Sequence, residues 1–306
     1  MRFGPSVALG AAALGALCGA LWGVSGALAI GASDQAAYPA QPLSSFTWDE
    51  EHWAFGGLSG LELDADGRGF IAITDRGHAF RGELEREDDR ITGVRAVRHI
   101  RLKDDEGTYP QRFHPDTEGL SWHPKGRLYI SFEGFTRIWH YDSALDDARW
   151  VKQIPGWRDF ESNASLEALA IDARGDIYAI PERAPDGAPG FPVYRFRKPD
   201  WSVPFRLSES DRYLPVGADF GPDGALYVLE RAFTLLQFRS RVRRFTLSGD
   251  SIASEEVLLE SELGQYDNLE GLSVWRDGEG RTRLTMISDD NFKFFQRSEF
   301  VEYVLP

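Results

Sequence analysis

Acidic residues recur in this chain at the two ends of a repeated phrase. Three copies of the phrase carry a glutamate near the beginning, at Glu118, Glu167 and Glu270. All five copies carry an acidic residue near the end, at Asp75, Glu133, Glu182, Glu230 and Asp289. Carboxylates in this number can bind a hard cation, and a carboxylate beside a substrate can accept a proton during hydrolysis. Their chemistry depends on whether the fold brings them together.

The phrase recurs at intervals of about 50 residues. Each copy reads as a short apolar strand, a Gly/Asp turn and a second strand of alternating apolar residues. The copies span residues 57–77, 117–135, 166–184, 216–233 and 268–292, aligned on Gly60, Gly119, Ala168, Ala218 and Gly271. A period of this length is typical of a β-propeller. The sequence therefore predicts an all-β propeller of five four-stranded blades, with room for a sixth in the long first interval.

The segments after each phrase supply the remaining strands of the blades. Third-strand candidates with alternating apolar residues are 79–85, 137–142, 192–197, 241–247 and 299–305. The last blade runs out of chain after its third strand. We expect the N-terminal segment 43–48 to supply its fourth strand and close the ring, which leaves no exposed sheet edge.

Strand direction predicts where the acidic residues meet. The first strand of a blade lines the central channel, and the second returns antiparallel beside it. Both ends of a phrase therefore open on the same face of the ring. This pairs Glu118 with Glu133, Glu167 with Glu182, and Glu270 with Asp289, all around one axis.

Carboxylates at such density raise one another's pKa unless cations offset them. Arg76, Arg183 and Arg231 directly follow Asp75, Glu182 and Glu230, so we expect ion pairs in this outer tier. The inner tier lacks basic neighbours in the sequence, and hard oxygen ligands favour Ca²⁺ or Mg²⁺ over zinc. The predicted ligands of a calcium ion are Glu118, Glu167, Glu270, Asp116 and Asn268. The alternative is that these residues cap turns or lock blades together.

Further residues complete the predicted site. Glu133 or Asp289 would take a proton as the catalytic base. Arg112, His114, Arg76 and Arg183 are the candidates for binding an anionic group. The sequence contains neither the serine-hydrolase elbow nor a phosphate-binding P-loop.

Residues 1–37 differ in composition from the rest. One Arg precedes a long Ala/Gly/Leu run that ends in Ala27-Leu28-Ala29, a pattern typical of a signal peptide, with an uncleaved N-terminal anchor as the alternative. The predicted propeller domain spans 38–306, and we expect it in the periplasm or secreted. It would meet a membrane only if the leader is not cleaved. The net charge of −14 argues against nucleic acid as a partner, and we expect a monomer.

Together, the phrases resemble the phytase-like family, described as "esterase-like activity of phytase". The matching motifs run in the family's order: Asp75-Arg76-Gly77, Asp116-Thr117-Glu118-Gly119, Ser131-Phe132-Glu133-Gly134, Leu166-Glu167-Ala168, Leu229-Glu230-Arg231, Glu270-Gly271 and Ser288-Asp289-Asp290-Asn291-Phe292. The last motif has Asp290 where the family usually has Asn. The resemblance implies an exported bacterial propeller and a hydrolase of phosphate or carboxylic esters.

Two functions remain open at this point. The first is an exported, metal-dependent hydrolase of a small anionic ester. The second is a non-catalytic binding or scaffold propeller whose calcium is structural. The residues alone leave open whether the protein is an enzyme.

Overall fold

The computed structural model describes residues 38–110, 115–160 and 166–306. The predicted signal peptide therefore lies outside the described residues. Apart from one short 3₁₀ helix, Trp157–Asp159, the regular structure in these ranges is all strand. No helix within them is long and apolar enough to cross a membrane.

Twenty strands occur in the described residues. In chain order they are β1 (Gln41–Thr47), β2 (Leu58–Leu63), β3 (Gly69–Thr74), β4 (His78–Glu87), β5 (Arg90–Arg101), β6 (Thr117–Trp122), β7 (Leu128–Phe132), β8 (Arg137–Tyr141), β9 (Arg149–Trp150), β10 (Leu166–Ile171), β11 (Ile177–Pro181), β12 (Phe191–Arg197), β13 (Asp200–Leu207), β14 (Leu214–Phe220), β15 (Leu226–Thr234), β16 (Gln237–Ser248), β17 (Ser251–Glu260), β18 (Asn268–Arg276), β19 (Thr282–Asp289) and β20 (Glu299–Leu305).

The strands form five antiparallel sheets of four, which we number as blades 1 to 5 in chain order. The first four blades are consecutive, β2 to β5, β6 to β9, β10 to β13 and β14 to β17. Blade 5 has the order β18-β19-β20-β1, so the N-terminal strand closes the ring as predicted. The five-bladed propeller is confirmed. A long β4–β5 hairpin, rather than a sixth blade, fills the first interval.

Apolar side chains fill the five spaces between neighbouring blades. Alternating residues of the inner strands face these spaces, as in the cluster that joins Ile71 and Ile73 of blade 1 to Leu120 and Phe132 of blade 2. Similar clusters join each other pair of neighbours around the ring. Packing between sheets thus holds the blades in register and fixes where the inner strand ends point.

The repeated glycine allows inner strands of adjacent blades to approach closely. A Cβ on Gly119 would lie 2.7 Å from Cβ of Leu169 and 2.8 Å from the carbonyl oxygen of Glu167, both in blade 3. In blade 4 the equivalent position is Gly217, which faces the carbonyl of Glu270. The choice of Ala218 as the aligned residue of the fourth phrase is therefore wrong by one position, and Gly217 is the residue equivalent to Gly119.

Candidate functional site

The innermost strand of every blade contains a β-bulge near its beginning. The register shifts lie between Leu58 and Gly60, Thr117 and Leu120, Leu166 and Ala168, Pro215 and Gly217, and Leu269 and Gly271. A bulge leaves one residue out of the regular pairing and redirects its side chain. The residues at these places are Ser59, Glu118, Glu167, Val216 and Glu270. Three of the five bulges thus place a glutamate at the same level of the channel.

Asp116, Glu118 and Glu133 form the tightest acidic group in the described residues. One carboxylate oxygen from each lies within 4.8 Å of the other two. The antiparallel pairing of β6 and β7 causes this, because the backbone N–H of Glu133 donates to the carbonyl of Asp116 at 2.9 Å. The predicted meeting of the two phrase ends therefore occurs in blade 2. We call the channel opening that holds these residues, with Asp75, Glu167, Glu182, Glu270 and Asp289, the acidic mouth.

Arg231 ties together the side of the acidic mouth formed by blades 3, 4 and 5. Its Nη2 donates to Oε1 of Glu182 at 3.2 Å, and its Nη1 donates to Oδ1 of Asn268 at 2.7 Å and to Glu270. The Nδ2 of Asn268 donates to Glu270 at 2.7 Å and to Asp289 at 3.3 Å. Although burial lowers it, the neighbouring carboxylates, led by Glu270, raise the pKa of Arg231 overall.

The expected ion pair between Glu230 and Arg231 does not form. Successive residues of a strand point to opposite faces. The side chain of Glu230 therefore packs against β16 of its own blade, whereas the side chain of Arg231 points to the channel. Glu230 is fully buried and accepts hydrogen bonds from Nε of Arg241 at 2.7 Å and Nε of Arg243 at 2.9 Å. The inner tier thus has a cationic partner that neighbours in the sequence did not indicate.

The other two expected ion pairs form only at long distances. Arg76 Nε lies 4.0 Å from Asp75, and Arg183 Nε lies 3.9 Å from Glu182, with both arginine side chains more than half exposed. The guanidinium of Arg76 stacks on Phe292, 3.2 Å from the ring centroid. Both arginines therefore sit at the rim of the acidic mouth, open to solvent.

Burial and mutual repulsion disfavour ionised carboxylates here. Burial and the nearby Glu167 and Glu270 raise the pKa of Glu118 well above its ordinary value. Burial also raises the pKa of Glu167 well above its ordinary value, against the opposing charge of Arg231. Burial, with Glu270 beside it, raises the pKa of Asp289 to about 8. A cation among these groups would relieve the repulsion.

Asp75 has an oxygen whose hydrogen-bonding capacity is unused. Its Oδ1 is buried and has no hydrogen-bond partner among the described residues. Burial, and then repulsion by Asp289, raise the pKa of Asp75 to about 7. A buried carboxylate oxygen without a donor is costly, so it marks a place where a cation or a ligand proton would be stabilised.

Asp290, which departs from the family pattern, supports a loop. Its Oδ1 accepts from the backbone N–H groups of Gly57 at 3.0 Å and Phe292 at 2.9 Å, and its Oδ2 accepts from Ser298 at 3.2 Å. Gly57 has φ +63°, and a Cβ there would collide with Asp75 and Phe292. These contacts hold the Gly57 backbone against Asp75 at the mouth.

Two of the predicted residues cannot be placed, and one residue near the site was not predicted. Arg112 and His114 lie outside the described residues. Arg137 was not predicted: it is buried, with its guanidinium 3.9 Å from the ring centroid of Phe132, and its charge opposes the rise that burial causes in the pKa of Asp116. Its place at the start of a third strand carried no signal of a site.

A five-bladed propeller whose channel opens into a ring of carboxylates defines the class of protein. The family described as "Phytase-like: esterase-like activity of phytase" matches residues 54–292. The chain therefore belongs to this family, and the resemblance of the phrases is confirmed. The family's description supports an esterase-like hydrolase on a propeller scaffold.

Three solved structures are similar to this chain at low identity. An aldose sugar dehydrogenase from Streptomyces coelicolor, in its PQQ-bound form, is 13% identical over 88% of this chain and 100% of its own, with a TM-score of 0.45. A putative gluconolactonase is 14% identical over 87% and 94%, with a TM-score of 0.44. A catalytically inactive virginiamycin B lyase from Staphylococcus aureus, with quinupristin, is 9% identical over 88% and 100%, with a TM-score of 0.45.

No curated protein matches the chain.

Proposed function

We propose that the acidic mouth is the active site of a calcium-dependent hydrolase of small phosphate or carboxylic esters. The observation that carries the proposal is the group of Asp116, Glu118 and Glu133, with oxygens within 4.8 Å of one another. The family's description supports ester hydrolysis as the reaction. The predicted signal peptide would place this activity in the periplasm or outside the cell, and that location stays a prediction.

The residues present fit a calcium ion. Calcium binds oxygen ligands at about 2.3–2.6 Å, so two ligands of one ion lie at most roughly 5 Å apart. The group of Asp116, Glu118 and Glu133 meets this limit. The Oδ1 of Asp75, which accepts no hydrogen bond among the described residues, adds a further hard oxygen at the same mouth. When bound, the ion would supply Lewis-acid polarisation of the ester.

The protein's own side chains would supply the remaining steps. Arg76 and Arg183, exposed at the rim, would bind the anionic group of the substrate. Asp289 would accept a proton from the water that attacks the ester and would return it to the alcohol oxygen as the bond to the leaving alcohol breaks. Because Glu133 belongs to the three-carboxylate group, we assign it to the cation, and its role as a base stays a prediction.

The ligand roles predicted for Glu167, Glu270 and Asn268 also stay predictions. Glu270 and the Oδ1 of Asn268 already accept hydrogen bonds from Arg231. To bind a cation as well, they would have to share or exchange these bonds. We therefore propose the ion on the side of blade 2, and Arg231 as the cation that neutralises the opposite side.

Calcium removal tests the proposal directly. The mature protein would be stripped with EGTA and assayed on p-nitrophenyl phosphate and p-nitrophenyl acetate with and without added Ca²⁺. We expect turnover only with Ca²⁺, and loss of both turnover and calorimetric Ca²⁺ binding in Glu118→Gln. Glu62→Gln is the matched control, because Glu62 is an equally buried glutamate of an inner strand that lies beside Trp122 and Ser273, away from the acidic mouth.

Two results would contradict the proposal. If Ca²⁺ raises the melting temperature while neither ester is hydrolysed, the non-catalytic propeller with structural calcium is correct. If Glu118→Gln keeps full activity and affinity, the ion does not bind at the three-carboxylate group.

A further inference from the structure

An exposed apolar groove lies beside the acidic mouth, between blades 4 and 5. The groove has a volume of about 560 Å³, and its apolar lining is Phe233, Leu236, Phe238, Tyr266 and Phe295. Leu236 is 87% exposed and Phe295 is 68% exposed. Exposed apolar side chains that are gathered in one concave place mark binding surfaces, whereas scattered ones do not.

The hairpin that forms one wall keeps its leucines at a conformational cost. Leu235 and Leu236 are the two turn residues between β15 and β16, with φ of 52° and 64°. A two-residue turn with positive φ at both positions favours Asn-Gly, because a branched side chain is strained there. Two exposed leucines in place of the favoured residues are a local conflict that folding does not explain.

The groove is continuous with the acidic mouth. On β15, Arg231 and Phe233 are two residues apart, so their side chains point to the same side, about 7 Å apart along the strand. Asp267 lines the groove, and the next residue, Asn268, bonds to Arg231 in the mouth. Lys293 of the groove donates its backbone N–H to the carbonyl of Asp290 at 2.8 Å.

We propose that this groove binds the hydrocarbon or aromatic part of an amphiphilic ester whose polar end lies in the acidic mouth. The proposal rests on the proposed function and names its substrate class. The groove volume falls within the range of small-molecule sites, roughly 300–1,000 Å³. Lys293 and Arg297 add cations to an otherwise acidic surface, which suits an ester that carries negative charge.

A membrane surface is the other apolar partner to consider. Leu235 and Leu236 protrude at the hairpin turn, but Phe238 and Tyr266 are half-buried in the lining of the groove. A groove with a half-buried lining suits a single chain or ring. The net charge of −14 also opposes approach to anionic lipid. We therefore assign the groove to a soluble ligand.

The test compares chain lengths on the whole mature protein with Ca²⁺. Hydrolysis of p-nitrophenyl octanoate and p-nitrophenyl acetate would be measured below micelle formation, and octylphosphonic and methylphosphonic acid would be titrated by calorimetry. We expect kcat/KM to be at least about tenfold higher for the octanoate than for the acetate, and the affinity at least about tenfold higher for octylphosphonic than for methylphosphonic acid, because buried methylenes favour binding. The triple variant Leu235→Asn/Leu236→Gly/Phe295→Ser should bring both of these ratios close to one and leave acetate hydrolysis unchanged.

Two controls separate the groove from the fold. Leu235→Asn/Leu236→Gly alone should raise the melting temperature, because it relaxes the turn, so weaker octyl binding cannot be ascribed to unfolding. Val203→Ser removes an exposed apolar residue from β13 and should leave the chain-length ratio unchanged.

The outcomes distinguish this inference from the proposed function. If acetate is hydrolysed but octyl compounds gain nothing, or gain as much in the variants, the groove proposal is wrong and the hydrolase stands. If no ester is hydrolysed but octylphosphonate binds through the groove, the hydrolase fails and the groove stands. Binding to phosphatidylcholine vesicles that the variants lose, without chain-length preference, would assign the groove to a membrane and overturn the proposal.

Discussion

Arg231 of blade 4 lies 3.2 Å from Glu182 of blade 3, measured from Nη2 to Oε1. The other terminal nitrogen of the same guanidinium bonds to Asn268 and Glu270 of blade 5. One side chain therefore joins three blades around the channel. It also neutralises carboxylates that would otherwise repel one another, which supports the proposal that an added cation would bind at the blade 2 group.

Replacing Arg231 should destabilise the fold more than replacing a rim arginine. Arg231→Met leaves Glu182 and Glu270 buried without their cation, which should lower the free energy of unfolding by about 3 kcal/mol. Arg183→Met, the control, should change it by less than about 1 kcal/mol, since Arg183 is largely exposed. Urea unfolding in EGTA measures both, and equal effects would show that the Arg231 bonds contribute little.

The buried carboxyl group of Glu62 should make the free energy of unfolding depend on pH. Burial, and then repulsion by Asp219 across the channel, raise the pKa of Glu62 well above its ordinary value. A raised folded-state pKa contributes stability that is present below the unfolded pKa and is lost as pH rises through the folded one. Glu62→Gln keeps the bond from the Trp122 backbone and removes the charge. It should therefore raise the melting temperature at pH 8 and change it little at pH 5.

The matched control for this pH effect is Glu279→Gln. Glu279 lies in an exposed turn, with 68% of its side chain accessible. Its replacement should shift the melting temperature equally at the two pH values. A Glu62→Gln curve parallel to that of the native protein would contradict the assigned repulsion.

Much of the fold follows from the sequence because propeller blades repeat one local pattern. The alternation in 57–77 and its copies predicts both inner strands, and the short last blade predicts the closing strand. The site was predicted less well. The pairing of Glu230 with Arg231 was wrong because sequence adjacency on a strand separates side chains to opposite faces.

The bulges explain what patterns could not reveal. The alternation of Val216 to Phe220 looks regular in the sequence, yet a bulge between Pro215 and Gly217 shifts the alignment of that blade by one residue. The sequence pattern also does not indicate which residues of distant segments lie close together. Nothing in the third-strand pattern of blade 2 distinguishes Arg137, whose charge acts on Asp116 only because the fold brings the two into the same region.

A side chain at position 217 should destabilise the fold. A Cβ there would press on the backbone carbonyl of Glu270, which is fixed in the neighbouring blade. Gly217→Ala should therefore lower the free energy of unfolding by about 1–3 kcal/mol, as overpacking does. Gly278→Ala is the control, because no atom lies within 4 Å of its added Cβ. Both are measured by the urea midpoint, and equal midpoints would show that the inner strands can separate.

Asp290 and the asparagine usual in the family should perform the same structural task. An asparagine at this position can keep Oδ1 as the acceptor for Gly57 and Phe292, and its amide can donate to the Ser298 hydroxyl. Asp290→Asn should therefore change the free energy of unfolding by less than about 1 kcal/mol and preserve Ca²⁺ affinity. Asp290→Ala removes all three acceptor bonds and should cost about 2–3 kcal/mol, since the donors lose their partners. If Asp290→Asn instead abolishes calcium binding, the Asp290 carboxylate binds the ion itself, and its support of the Gly57 loop is secondary.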